Sequence, residues 1–153
     1  MTNNDVLRRL RYTFDFNDSR MVSIFALAGT EVTRDQVAHW LKKEDDPDYK
    51  NCGDAYLAAF LNGLISEKRG KKEGLEPKAE KRINNNMIFL KLKIALNLKA
   101  EDVLAILALA DFRMSKHELS AFFRRPDHKH FRECKDQVLR NFLHGVQLKY
   151  RDA

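Results

Sequence analysis

The stretch Cys52-Gly-Asp-Ala-Tyr-Leu-Ala-Ala-Phe-Leu-Asn-Gly63 returns 82 residues later as Cys134-Lys-Asp-Gln-Val-Leu-Arg-Asn-Phe-Leu-His-Gly145. Cys, Asp, both Leu, Phe and Gly keep their places, and the polar positions between them drift. An apolar face at i, i+3, i+4 and i+7 marks an amphipathic helix. Its return at a fixed offset marks a duplicated unit.

The same register extends in both directions without a gap. Asn3-Asn4 meets Asn85-Asn86, Leu10 meets Leu92, and Ile24, Ala26, Leu27 and Ala28 meet Ile106, Ala108, Leu109 and Ala110. Residues 3–71 and 85–153 share 15 identities in 69 positions. Size and polarity also track through Val22/Leu104, Val37/Leu119, Trp40/Phe122, Lys42/Arg124, Lys43/Arg125, Tyr49/Phe131 and Lys50/Arg132. The chain therefore reads as all-α, two tandem copies of a four-helix unit packed as one pseudo-symmetric body. Copy one spans 1–66, a basic linker 67–82, and copy two 83–153. Each copy approaches the lower size limit for independent stability, which is why a shared body is expected.

The helices have local signals. The first covers about 5–14 and 87–96, with Asn4 and Asn86 as expected N-caps. The second covers 18–28 and 101–110, apolar nearly all round and so expected at the centre of each unit. The third opens on a capping box, Thr33-x-x-Gln36 or Ser115-x-x-Glu118, in which cap and third residue satisfy each other's backbone donors. It is expected to end in a basic turn, Lys42-Lys43 or Arg124-Arg125. After a polar loop the fourth helix covers about 51–66 and 133–149, with Cys52 and Cys134 on its apolar side. The linker holds two glycines, Pro77 and a run of charges.

Composition narrows the function classes. With 44% hydrophobic and 33% charged residues, three prolines and six glycines, the chain is globular and helix-rich. The longest apolar run, Val103 to Ala110, is too short to span a bilayer. The N-terminus has no secretory pattern. Two cysteines without export signals read as free thiols, so the chain is placed in the cytoplasm. No phosphate loop, His-Glu-x-x-His or nucleophile elbow is present, so no catalytic residue, cofactor or enzyme activity is assigned. His117, His128, His130 and Cys134 could suggest zinc, but copy one has Asp35, Asp46, Asp48 and Cys52 there, and a solvated basic loop reads better. Asp54 and Asp136 suit a helix N-terminus.

Charge separates the copies. Residues 1–65 carry net −2, residues 66–82 net +3 and residues 83–153 net +5. Basic clusters attract phosphate backbones through counterion release. The sequence expectation is a nucleic-acid-binding helical module that contacts the RNA or DNA backbone through Lys68, Arg69, Lys71, Lys72, Arg124, Arg125, Lys129 and Arg132. The alternative is a protein–protein interaction module. No membrane partner is expected, and self-association stays open.

The paired Asn-Asn, the Ile-x-Ala-Leu-Ala segment, the capping box with Trp40 or Phe122, Phe-Leu-x-Gly at 60–63 and 142–145, and Lys68-Arg69-Gly70 occur together. In this combination the chain resembles the YehS-like family of small bacterial proteins, duplicated domains of unknown function. The resemblance implies a bacterial protein with two copies of the domain, and it supplies no catalytic residues.

Overall fold

The computed structural model describes residues 1–70 and 79–152. These hold eight α-helices and no strand: α1 Asn3–Phe14, α2 Asp18–Leu27, α3 Arg34–Leu41, α4 Asp54–Arg69, α5 Asn85–Ala95, α6 Ala100–Leu109, α7 Lys116–Ala121 and α8 Asp136–Tyr150. The chain divides into two compact units, Met1–Ile83 and Asn84–Ala153. Each contains four helices in the same order.

Caps set most boundaries. The Thr33–Gln36 and Ser115–Glu118 boxes both close, with backbone-to-side-chain bonds of 2.9–3.1 Å in each direction. The first helix of each unit starts two residues earlier than its apolar pattern suggests. Thr2 caps α1 in a box with Asp5, and Asn84 caps α5 by accepting the Met87 N–H at 2.9 Å. Asn4 and Asn86 are therefore not caps. They lie inside the helices and are buried.

The centre of each unit is the crossing of its second and fourth helices. Met21, Ile24 and Phe25 of α2 are buried, as are Val103, Ile106 and Leu107 of α6. The apolar coat of α6 is not wholly enclosed, because Leu109 remains 50% exposed. Gly63 and Gly145 mark the crossings. A Cβ on Gly63 would fall 1.9 Å from the Ile24 carbonyl oxygen, and one on Gly145 2.1 Å from that of Ile106. Backbone meets backbone there, so the repeat needs glycine for space. Around the first crossing, Phe25 packs on Phe60 and Trp40 with ring centroids 5.2 and 5.7 Å apart. In the second unit Phe89 takes the central place, 4.5 Å from Phe142 and 5.0 Å from Phe123. The large ring has changed helix: Leu7 and Phe25 in copy one correspond to Phe89 and Leu107 in copy two. Such volume-conserving exchange is what cores tolerate best.

Three boundaries differ from the sequence reading. The third helices stop at Leu41 and Ala121, before the basic pairs Lys42-Lys43 and Arg124-Arg125. Asn4 Nδ2 takes the Trp40 carbonyl at 2.9 Å in place of a helical N–H four residues on, and Asn86 Nδ2 takes that of Phe122 at 3.0 Å, where the residue four on is Pro126 and has no N–H to give. The fourth helices begin at Asp54 and Asp136, so Cys52 and Cys134 precede them outside the helix, although both are buried. Finally, α4 continues to Arg69, so Lys68 and Arg69 form its last turn and are not linker residues. Lys71 and Lys72 lie outside the described residues.

Candidate nucleic-acid interface

The basic loop of copy two, between α7 and α8, is built by Asn86. Its Nδ2 donates to the carbonyls of Phe122 at 3.0 Å and Arg132 at 2.8 Å, and its Oδ1 accepts the Cys134 N–H at 2.9 Å. Asn4 does the same in copy one, to Trp40, Lys50 and Cys52 at 2.8–3.0 Å. The neighbouring asparagines lock the other side. Asn3 donates to the Cys52 carbonyl and Asp54, and Asn85 to the Cys134 carbonyl and Asp136, at 3.0 and 2.8 Å in both copies. The bond from Asn85 holds the Asp136 carboxyl below its usual value. The repeated Asn, Cys and Asp thus form one structural hub. Burial, reinforced by the nearby Asp54 or Asp136, pushes each thiol up to about 12.

Between these clamps the two loops match bond for bond. Asp46 N–H donates to Lys43 O and Tyr49 N–H to Asp46 O, both at 3.0 Å; His128 N–H and Phe131 N–H repeat this to Arg125 O and His128 O at 2.9 Å. Asp48 N–H donates to the Asp46 carboxylate at 2.8 Å, and His130 N–H to His128 Nδ1 at 3.0 Å. An imidazole has taken the place of a carboxylate. Since Nδ1 accepts, the ring proton sits on Nε2. Arg124 Nη1, 3.4 Å from Nε2, then faces a donor and makes no hydrogen bond.

This backbone presents a recess of about 270 Å³, lined by His117 and Glu118 of α7 and by Arg124, Lys129, His130 and Arg132 of the loop, with Ala121 and Phe131 as its apolar wall. Arg124 Nε is shut away from solvent and has no hydrogen-bond partner among the described residues. Glu118 lines the recess too. One of its carboxylate oxygens accepts the Ser115 N–H at 2.9 Å, and that bond, with Arg132 nearby, holds the carboxyl below its usual value. The equivalent positions in copy one are Asp35, Gln36, His39, Lys42, Pro47, Asp48, Tyr49 and Lys50. There two lysines face two aspartates. In copy two three cations face one carboxylate that is already capping a helix.

The expected site residues therefore separate. Arg124, Lys129 and Arg132 converge on one recess. Arg125 does not line it and sits 3.9 Å from Asp127, a solvent-exposed pair of little energetic weight. Lys68 belongs to the first unit, where its ammonium lies over the Phe14 ring at 4.4 Å and the Phe16 ring at 6.0 Å. Partial burial, with Arg20 nearby, holds its pKa below the ordinary value. Arg20 itself is ion-paired with Glu67. Arg69 ends α4. His117, Glu118 and His130 join the recess without having been expected there. Their signal was faint: spacing along α7 places His117 and Glu118 in its first turn, but nothing local aims them at the side chains of the loop that follows. Cys134 is buried at the hub and lies outside the recess.

The family described as a protein of unknown function, DUF1456, matches residues 3–70 and again 85–152. The chain belongs to this family. Each DUF1456 match spans one four-helix unit, so the duplication read from the sequence is the family's domain occurring twice. The uncharacterized protein YehS of Escherichia coli (strain K12) is 52% identical over 149 residues, covering 95% of this chain and 94% of that protein. No solved structure matches. No helix among the described residues is long and apolar enough to cross a membrane.

Proposed function

We propose that this DUF1456 chain is a nucleic-acid-binding helical module, a cytoplasmic binding protein rather than an enzyme, which holds backbone phosphates through the loop of its second copy. The observation that carries the reading is the convergence of Arg124, Lys129 and Arg132 on one recess without an ion-pair partner among the described residues, where copy one has balanced charge. Phosphate contacts by these groups release counterions, so binding should weaken steeply with salt. For three contacts, raising salt from 50 to 200 mM should cost about 20- to 40-fold in affinity. Fluorescence anisotropy with mixed RNA and DNA oligonucleotides at the two salt concentrations measures this. Absence of binding at low salt would remove the reading.

A second reading, a protein-interaction module, draws support from α5. Leu90 and Ile94 are 38% and 43% exposed on its outer face, where α1 carries Arg8 and Tyr12. A protein partner retained after nuclease treatment of the lysate, together with no oligonucleotide binding, would favour it.

A further inference from the structure

We propose that the recess between α7 and the 122–135 loop is a pocket for one nucleoside phosphate monoester, presented as a free mononucleotide or as the phosphorylated end of a strand. This takes its ligand class from the phosphate-binding reading above, but narrows it from a charged surface to one enclosed group.

The shape argues for a single phosphate. A backbone tract spreads its charges along a strand, and its binders spread cations to match. Here three cations with no ion-pair partner among the described residues line one hollow, while neighbouring Arg125 stays outside it. The hollow, about 270 Å³, falls just below the roughly 300 Å³ at which drug-sized ligand pockets begin, which suits a phosphate with part of its sugar.

The chemistry argues for a dianion. Arg124 is half-buried and its Nε is already desolvated and unpaired among the described residues, so part of the guanidinium's cost of leaving water is met before a ligand arrives. Guanidinium suits the bidentate oxygen pairs of phosphate, and Lys129 adds a point charge. His130 and His117 add ring nitrogens on the same lining. The loop carrying Arg124, Lys129, His130 and Arg132 is fixed in advance by the Asn86 clamp and by the Arg132 N–H bonded to the Ala121 carbonyl at 3.1 Å. Little ordering is left to be done on binding.

Glu118 argues for an ester over bare phosphate. One carboxylate oxygen accepts the Ser115 N–H, and the carboxylate lies on the recess lining as its one anionic acceptor. A sugar hydroxyl beside the phosphate meets that acceptor, whereas a second phosphate oxygen would be repelled by it.

Calorimetric titration of the full chain tests this with adenosine 5′-monophosphate, adenosine, inorganic phosphate, and one RNA oligonucleotide with and without a 5′-phosphate. The monophosphate should bind, adenosine should not, and inorganic phosphate should bind more weakly. Arg124→Gln should weaken the monophosphate by about tenfold or more, as loss of a charged hydrogen bond does. Lys129→Glu, on an exposed side chain, should do so with the helical circular dichroism unchanged. Lys42→Gln in copy one should have no effect. Tighter binding of the 5′-phosphorylated RNA than of its hydroxyl twin identifies the strand end as ligand. Equal binding of the two, with the monophosphate still bound, identifies the free nucleotide. Failure of the monophosphate to bind at millimolar concentration overturns the pocket. If the hydroxyl RNA nevertheless binds, the broader nucleic-acid reading survives alone. Monophosphate binding equal to that of inorganic phosphate and insensitive to Glu118→Gln overturns the ester.

Discussion

Replacing Asn4 by alanine should cost the first unit a large part of its stability. The side chain is fully buried and donates to the Trp40 and Lys50 carbonyls at 2.9 and 2.8 Å while accepting the Cys52 N–H at 3.0 Å. A hydrogen bond of this kind contributes about 1–1.5 kcal/mol net. Three give about 3–4.5 kcal/mol, and any backbone group left buried without water adds to the loss. Small domains have only about 5–15 kcal/mol in total. Asn4→Asp keeps the shape and the acceptor for Cys52, but it turns a carboxylate toward two carbonyls, so at neutral pH it should be at least as harmful. Trp40 is the chain's one tryptophan and one of the three partners, so its fluorescence reports this unit directly. Urea titration by that signal, with linear extrapolation, gives the loss. A loss below about 1 kcal/mol for Asn4→Ala, or wild-type stability for Asn4→Asp, would refute the hub as a source of stability.

Two further perturbations test the scaffold. Gly63→Ala and Gly145→Ala should each destabilise by about 3 kcal/mol, the upper end for overpacking, because a helix backbone must retreat and no flexible side chain can move instead; thermal melts by circular dichroism would show it, and unchanged melts would refute the close crossing. The buried thiols predict alkaline weakening. Folding raises each from 9.0 to about 12, so above pH 9 the unfolded chain loses protons that the folded chain keeps. Stability should then fall as pH rises through that window, by up to about 1.4 kcal/mol per pH unit for each thiol. Cys52→Ala should flatten the slope in urea titrations followed by Trp40.

The duplication, the helix count and both capping boxes at Thr33 and Ser115 were legible because their signals are local or periodic. The role of Asn4 and Asn86 was not. An asparagine just ahead of an apolar run has the grammar of an N-cap, while its true partners lie 36 to 48 residues away. The same non-local bonds claim the Trp40 and Phe122 carbonyls and the Cys52 and Cys134 N–H groups, where apolar spacing alone continues a helix. At the candidate site, composition revealed the positive charge of copy two. It could not separate Arg124, which turns into the recess, from Arg125, which does not, nor show Lys68 resting on two phenylalanine rings.

The Asn4 and Asn86 clamps grip main-chain atoms only: carbonyls of 40 and 50 in one unit, of 122 and 132 in the other. A fastening that ignores side chains leaves the enclosed sequence free to change. Lys43-Glu44-Asp45-Asp46-Pro47-Asp48 and Arg125-Pro126-Asp127-His128-Lys129-His130 take the same course through the same turn bonds with opposite charge. The unit therefore behaves as a frame with a replaceable insert, and doubling it gave one chain two inserts that could diverge without endangering either frame.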